Sequence, residues 1–163
     1  MSELPEARIL TSRGEFHEAL RESFVLVADQ GCREVFICDP NFADWPLSER
    51  AVIEDLTRWA YAHRKLTLLA RHFDEFPRRH ARWVEWRRQW SHVVECRALA
   101  DADASSAPTL FLAPGVLTLR MLDPEHYRAT LSFQESDAIQ ARDSLDALLQ
   151  RSEEAFPATT LGL

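Results

Sequence analysis

Residues 34–70 read EVFICDPNFADWPLSERAVIEDLTRWAYAHRKLTLLA, and this stretch decides the fold class. Its first six residues, EVFICD, form a compact apolar run bounded by Pro40, which predicts a buried strand with Asp39 at its C-terminal end. Ser48 then opens a helix that carries Val52, Leu56, Trp59 and Ala60 on one face. Residues 66–70, LTLLA, repeat the strand signal. Strand and helix therefore alternate, which places the chain in the α/β class.

The flanks extend the pattern. Upstream, Ser12 and Glu15 have capping-box spacing, and Phe16, Leu20 and Phe24 recur as one face of a helix that runs to about Gln30 and is broken by Gly31. Downstream, residues 78–97 read RRHARWVEWRRQWSHVVECR, with six arginines, three tryptophans and two histidines. Trp83, Trp86 and Trp90 fall at i, i+3 and i+7, so a third helix has an aromatic face. Arg78, Arg82, Glu85 and Gln89 gather on its polar side, while Arg79 projects among the tryptophans, where it can stack on an indole. Residues 91–99 read as a further strand, with His92 at its start, and residues 101–106 as a polar loop. From Thr109 onwards, TLFL, VLTLRML and HYRATLSF are joined by Pro114-Gly115 and Asp123-Pro124 turns, as in a meander. Ser136 is placed as the cap of a last helix lined by Ala138, Ala141, Leu145 and Leu148. The sum is a mixed sheet flanked by helices, in one domain over residues 1–163.

Composition narrows the function classes. A chain of 163 residues with 46% apolar content can close a proper core. A net charge of −7 argues against bulk electrostatic capture of DNA or of an anionic membrane. The charge is uneven: residues 58–97 hold ten Lys and Arg against four Asp and Glu, a balance of +6, which leaves −13 elsewhere and marks a possible local binding face. Cys32, Cys38 and Cys96 are odd in number and lack CxxC spacing, which predicts reduced thiols without metal or disulfide roles. The N-terminal residues are acidic where a signal peptide is basic, and no run approaches the roughly 18 apolar residues of a membrane span. Placement in the cytoplasm is the expectation. With four glycines there is no GxGxxG and no phosphate loop, and no GxSxG occurs, so no cofactor is implied.

Ligands in α/β sheets gather beyond the C-terminal ends of strands. Asp39 with Asn41, and Arg71 with His72 and Asp74, follow the two clearest strands and form the candidate ligand-binding set, unless Asp39 and Asp74 merely cap turns. Arg79, Arg82, Trp83, Trp86 and Trp90 form a second set, with three readings: core, subunit interface, or a stacking platform for bases. His72, His80 and His92 with Asp74 and Glu95 show no recognised metal-ligand spacing, which favours structural histidines. One HxK pair occurs, His63 and Lys65, but it falls where a helix hands over to a strand.

The order ARIL, capped helix, EVFICDPNFADWPLSER, helix, LTLLARHFDEFPRRHARWVEWRRQWSHVVECRAL, then PTLFLAPGVLTLRMLDPEHYRATLSF and a closing helix resembles a small family of bacterial proteins. Its landmarks are Asp39-Pro40 after a strand, the RRHxRWxEWRRQWSH block, YRATLSF and the terminal LGL. The domain of that family is similar to one lobe of the phospholipase D-like fold. In active members of that superfamily a HxK pair, followed after four further residues by Asp, supplies a nucleophilic His and a phosphate-gripping Lys. After His63 and Lys65 the Asp place is Ala70, and the place the resemblance assigns to HxK, the approach to Leu110, reads Ala107, Pro108, Thr109. The resemblance therefore implies a lobe without the superfamily's hydrolysis. It also implies a symmetric homodimer that binds a protein or a phosphorylated ligand. The rivals are a hydrolase working through the strand-end residues, and an oligonucleotide-binding module built on the arginine and tryptophan helix.

Overall fold

The computed structural model describes residues 7–61 and 63–157. In chain order the elements are β1 (Ala7–Leu10), α1 (Arg13–Gln30), β2 (Glu34–Cys38), α2 (Arg50–Trp59), β3 (Lys65–Ala70), α3 (Phe76–Arg79), α4 (Ala81–Gln89), β4 (Val94–Ala98), α5 (Asp101–Ala104), β5 (Leu110–Ala113), β6 (Leu117–Asp123), β7 (Arg128–Ser132), α6 (Glu135–Arg151) and β8 (Glu153–Glu154). All eight strands join one sheet in the order β1-β7-β6-β5-β2-β3-β4-β8. The pairs β2–β3 and β3–β4 are parallel, and every other pair is antiparallel. The mixed sheet flanked by helices is as the sequence predicts, and β5, β6 and β7 form the expected meander.

Both faces of the sheet are covered, which is why its central strands are continuously apolar. Val35 and Ile37 of β2, Leu66 and Leu68 of β3, and Phe111 of β5 point into a core shared with α1, α2 and α4. Their neighbours Phe36, Cys38, Leu69, Leu110 and Leu112 point the other way, into a smaller core closed by Ala141 and Leu145 of α6. Trp83 and Trp86 belong to the larger core, beside Phe76 and Trp59.

Local chemistry sets the helix ends. Ser12 Oγ accepts from Glu15 N at 3.1 Å, as the capping box predicts. Gly31 ends α1 at φ 69°, with its N–H donated to Val27 O; the left-handed backbone there suits glycine. Elsewhere the structure corrects the reading. Ser136 lies inside the first turn of α6, with Gln134 at the cap position. Ser48 lies two residues before α2, and its hydroxyl accepts instead from Trp83 N at 3.3 Å, which ties α4 to the β2–α2 loop. The arginine and tryptophan stretch is two helices, α3 and α4, broken at His80. Residues 91–93 form a turn, so β4 starts at Val94 and His92 precedes it. A single turn of helix, α5, occupies part of the expected polar loop. Edge strands β1 and β8 are additions, and the terminal LGL lies outside the described residues.

Candidate strand-end site

Asp39 leaves β2 at its C-terminal end, where its N–H still donates to Leu69 O of β3 at 3.2 Å. One carboxylate oxygen accepts from the backbone N–H groups of Asn41 (3.2 Å) and Phe42 (2.7 Å). The other accepts from the Thr109 hydroxyl at 2.6 Å. Asn41 Oδ1 accepts in turn from Ala43 N at 2.9 Å. These side chains replace backbone partners that the irregular loop lacks, which is the work of Asx turns. Phe42, fully buried, is held at φ 57°, a conformation disfavoured for a bulky residue. Its carbonyl accepts from His80 Nε2 at 2.7 Å. Burial pushes the His80 pKa below its ordinary value, against the opposing effect of the bond to Phe42, so the ring is a neutral donor.

The other half of the predicted set stands apart. Arg71 is joined to this loop only through its backbone, with its N–H donated to Pro40 O at 2.9 Å. The His72 and Asp74 side chains are 46% and 87% exposed and lie 3.7 Å apart, a loose surface pair. The structure therefore brings Asp39 and Asn41 together with Thr109, and leaves Arg71, His72 and Asp74 on the open surface beyond β3.

What joins Asp39 instead is a group that sequence reasoning did not find. Asp44, from the same loop, accepts from Arg13 Nε and Nη2 at 3.1 and 2.6 Å and from the Tyr127 hydroxyl at 2.8 Å. His17 Nε2 lies 3.2 Å from the same carboxylate. Burial by itself would raise Asp44, but the bonds from Arg13 and Tyr127 and the nearby His17 outweigh it and hold the carboxyl below the usual range. Tyr127 is raised in return, chiefly by its bond to Asp44, and adopts φ 50° in the β6–β7 turn. A cleft of about 270 Å³ opens between these elements, lined by Phe16, Asp39, Asp44, Thr109, Met121 and Tyr127 among others. It presents two hydrogen-bonded carboxylates, a phenol and a threonine hydroxyl, a surface suited to binding polar groups.

The second predicted set is divided by burial. Trp83 is fully buried and Trp86 is buried with its Nε1–H donated to Thr57 Oγ1 at 3.0 Å. Trp90, at the end of α4, is partly buried and stacks on Trp86 at a centroid separation of 6.3 Å. The aromatic face is core, because it packs against the sheet. Arg79 does not stack on an indole: it faces Glu75 at 3.4 Å. Arg82 Nη1 donates to Ser48 O at 2.8 Å. Both arginines edge an open groove shared with Ala43, Trp45, Ser48 and His80.

The HxK pair is dispersed: His63 sits at φ 69° before β3, and Lys65 Nζ pairs with Glu95 at 2.7 Å. Among the described residues, Asp123, Glu125 and His126 place three ligand-type atoms within 4.8 Å of one another, on the exposed β6–β7 turn. His126 Nδ1 to Asp123 Oδ2 is 2.7 Å and Glu125 N donates to Asp123 Oδ1 at 3.1 Å, so this cluster is a self-bonded turn.

No protein-family model matches the sequence, and no curated protein matches it. Solved structures do. TrmBL2, an archaeal chromatin protein described as showing a novel mode of DNA binding, is similar over 94% of this chain and 56% of its own, with TM-score 0.66 and 14% identity. This chain thus spans little more than half of that protein. NucT from Helicobacter pylori is similar over 91% of this chain and 98% of its own, with TM-score 0.64 and 8% identity. Nuc from Salmonella typhimurium, a phospholipase D family member, is similar over 93% and 99%, with TM-score 0.58 and 5% identity. The fold is phospholipase D-like. In this phospholipase D-like sheet the approach to β5 carries Ala107, Pro108 and Thr109, and Thr109 opens on the same cleft as Asp39 and Asp44.

Proposed function

We propose that this chain is a non-catalytic phospholipase D-like lobe that acts by binding, as a symmetric homodimer in the cytoplasm, with its strand-end cleft receiving a partner protein or a phosphorylated ligand. One observation carries the reading: at the start of β5 the place of the catalytic pair holds Ala107 and Thr109, and the Thr109 hydroxyl is committed to Asp39 at 2.6 Å. A phosphohistidine route needs an imidazole nucleophile and a cation for the phosphoryl oxygens, and a methyl and a hydroxyl supply neither. Three unpaired cysteines suit a reducing compartment. The test is turnover of bis(p-nitrophenyl) phosphate, phosphatidylcholine vesicles and DNA, with light scattering on the same sample. The expected result is no turnover above blank and a mass twice the 18.8 kDa of one chain. Phosphodiesterase activity that disappears in Asp39→Ala or His17→Ala would replace this reading with the strand-end hydrolase.

A second reading makes the groove edged by Arg79 and Arg82 a phosphate-contacting face for single-stranded nucleic acid. It is favoured by two outward guanidinium groups on one groove and by the likeness to a DNA-binding chromatin protein. Burial of Trp83 and Trp86 removes base stacking from it. Titration of a short single strand should then show affinity that falls steeply with salt and is lost in Arg79→Ala/Arg82→Ala; salt-independent or absent binding rejects it.

A further inference from the structure

Arg87, near the end of α4, is the only buried Lys or Arg among the described residues, at 5% exposure. Its Nη1 donates to Phe156 O, and its guanidinium lies over the Phe156 ring, 5.0 Å from the centroid. Its Nε is buried with no hydrogen-bond partner, and among the described residues no carboxylate lies within ion-pair distance of it. A buried charge without a counter-charge is among the costliest arrangements a fold can hold. Arg97, less buried, illustrates the usual solution: its Nη1 pairs with Glu95 at 2.8 Å and its Nε and Nη2 donate to Ser152. The neighbouring Cys96 supplies no negative charge to Arg87 at neutral pH, because burial pushes its thiol up to about 12.

Arg87 also lines an opening. A polar cleft of about 370 Å³ lies at the N-terminal ends of β3 and β4, bordered by Lys65, Arg87, His92, Glu95, Cys96 and Glu154. That volume falls at the lower end of the roughly 300–1,000 Å³ common for small-ligand sites. Glu95 is already neutralised on both sides, by Lys65 at 2.7 Å and Arg97 at 2.8 Å. His92 stands exposed on the turn before β4, and Glu154 is exposed on β8.

We propose that this cleft is an oxyanion site, in which the Nε and Nη2 edge of Arg87 grips a carboxylate or phosphate group side-on and His92 meets it at the rim. The geometry favours this class because Nη1 is occupied by Phe156 while the adjacent edge of the planar fork is free, and that edge matches two oxygens of one anion. The aromatic ring of Phe156 and the buried surroundings strengthen the pairing by excluding water. This site lies at the opposite end of the parallel strands from the Asp39 cleft and stands independently of the proposed function.

The test uses the full chain, labelled with nitrogen-15, at constant ionic strength with chloride as the background anion. Inorganic phosphate and acetate are titrated separately while the Arg87 Nε–H resonance and tryptophan fluorescence are followed. The expected result is a saturable shift of that resonance. Response to phosphate alone assigns the site to phosphorylated ligands, and response to both assigns it to carboxylates as well. Arg87→Lys, which keeps the charge and loses the fork, should weaken binding about tenfold or more. Glu154→Gln, a surface change that removes one negative charge from the border of the cleft, should tighten it severalfold, and it serves as the deciding variant if Arg87→Lys does not fold. No saturation with either anion, or affinity unchanged in Glu154→Gln, overturns the proposal.

Discussion

Asp39 accepts three hydrogen bonds at the end of β2, and two of them hold the loop that forces Phe42 into the left-handed region. Its carboxylate is therefore structural before it is anything else. Asp39→Ala should cost about 2–4 kcal/mol, from two backbone donors and the Thr109 hydroxyl left without their acceptor, and Asp39→Asn, which keeps an acceptor, clearly less. Chemical denaturation of the two variants checks this; equal losses would mean that the charge itself matters. His80 makes a pH prediction. Its pKa is depressed in the fold relative to the ordinary 6.5, so the unfolded chain binds a proton more readily. Its contribution is fully present above about pH 6.5 and is lost as pH falls toward the lower folded value. Stability should therefore decline as pH falls below about 6.5, and His80→Gln, which retains a donor for Phe42 O, should flatten that part of the profile. Read from sequence, Asp39 and Asn41 were legible as strand-end residues, because composition marks the end of an apolar run. The partners of Asp44 were not, since Arg13 is 31 residues away and Tyr127 is 83.

At the scale of elements, α4 shows how periodicity and burial agree while charge misleads. Nine residues rich in arginine are too short to hold a helix by propensity. Packing of Trp83 and Trp86 against the sheet supplies what propensity lacks. Trp83→Ala should destabilise the chain by about 3–5 kcal/mol, whereas exposed Arg88→Ala should stay within about 0.5 kcal/mol. Thermal unfolding of the pair distinguishes a core helix from a surface recognition helix, which would show the two effects reversed. The break at His80 was hidden in the sequence because the ring's role depends on Phe42 O, 38 residues away. Ser12 was readable as a cap because its partner Glu15 is three residues on; Ser12→Ala should cost about 1 kcal/mol. Ser136 misled for the converse reason: its type suits a cap, but the chain enters α6 from β7 two residues earlier, with Gln134 at the cap position and its N–H donated to the Ser132 hydroxyl at 3.1 Å.

At the scale of the whole molecule, the sheet's centre and edges differ in kind. Strands β2, β3 and β5 are buried on both faces, between the α1, α2 and α4 layer and α6. Backbone amides there should be the slowest to exchange with deuterium, and those of β1 and β8, at the two ends of the sheet, the fastest; a uniform rate would deny the layered core. The same contrast divides what could be read. Apolar runs, helix faces, the capping box and the meander are local, so the residues themselves determined an α/β chain with a mixed sheet and the identity of its central strands. The edge strands are four and two residues long and mostly exposed, too short for a period to mark them, and pairing with β7 and β4 creates them. The order of strands, the conversion of Trp83 from a possible stacking surface to core, the joining of Asp44 to Arg13, His17 and Tyr127, and the burial of Arg87 beneath Phe156 were decided by tertiary structure. Each depends on contacts between residues far apart in the chain, and periodicity within one segment does not encode which distant segment will cover it.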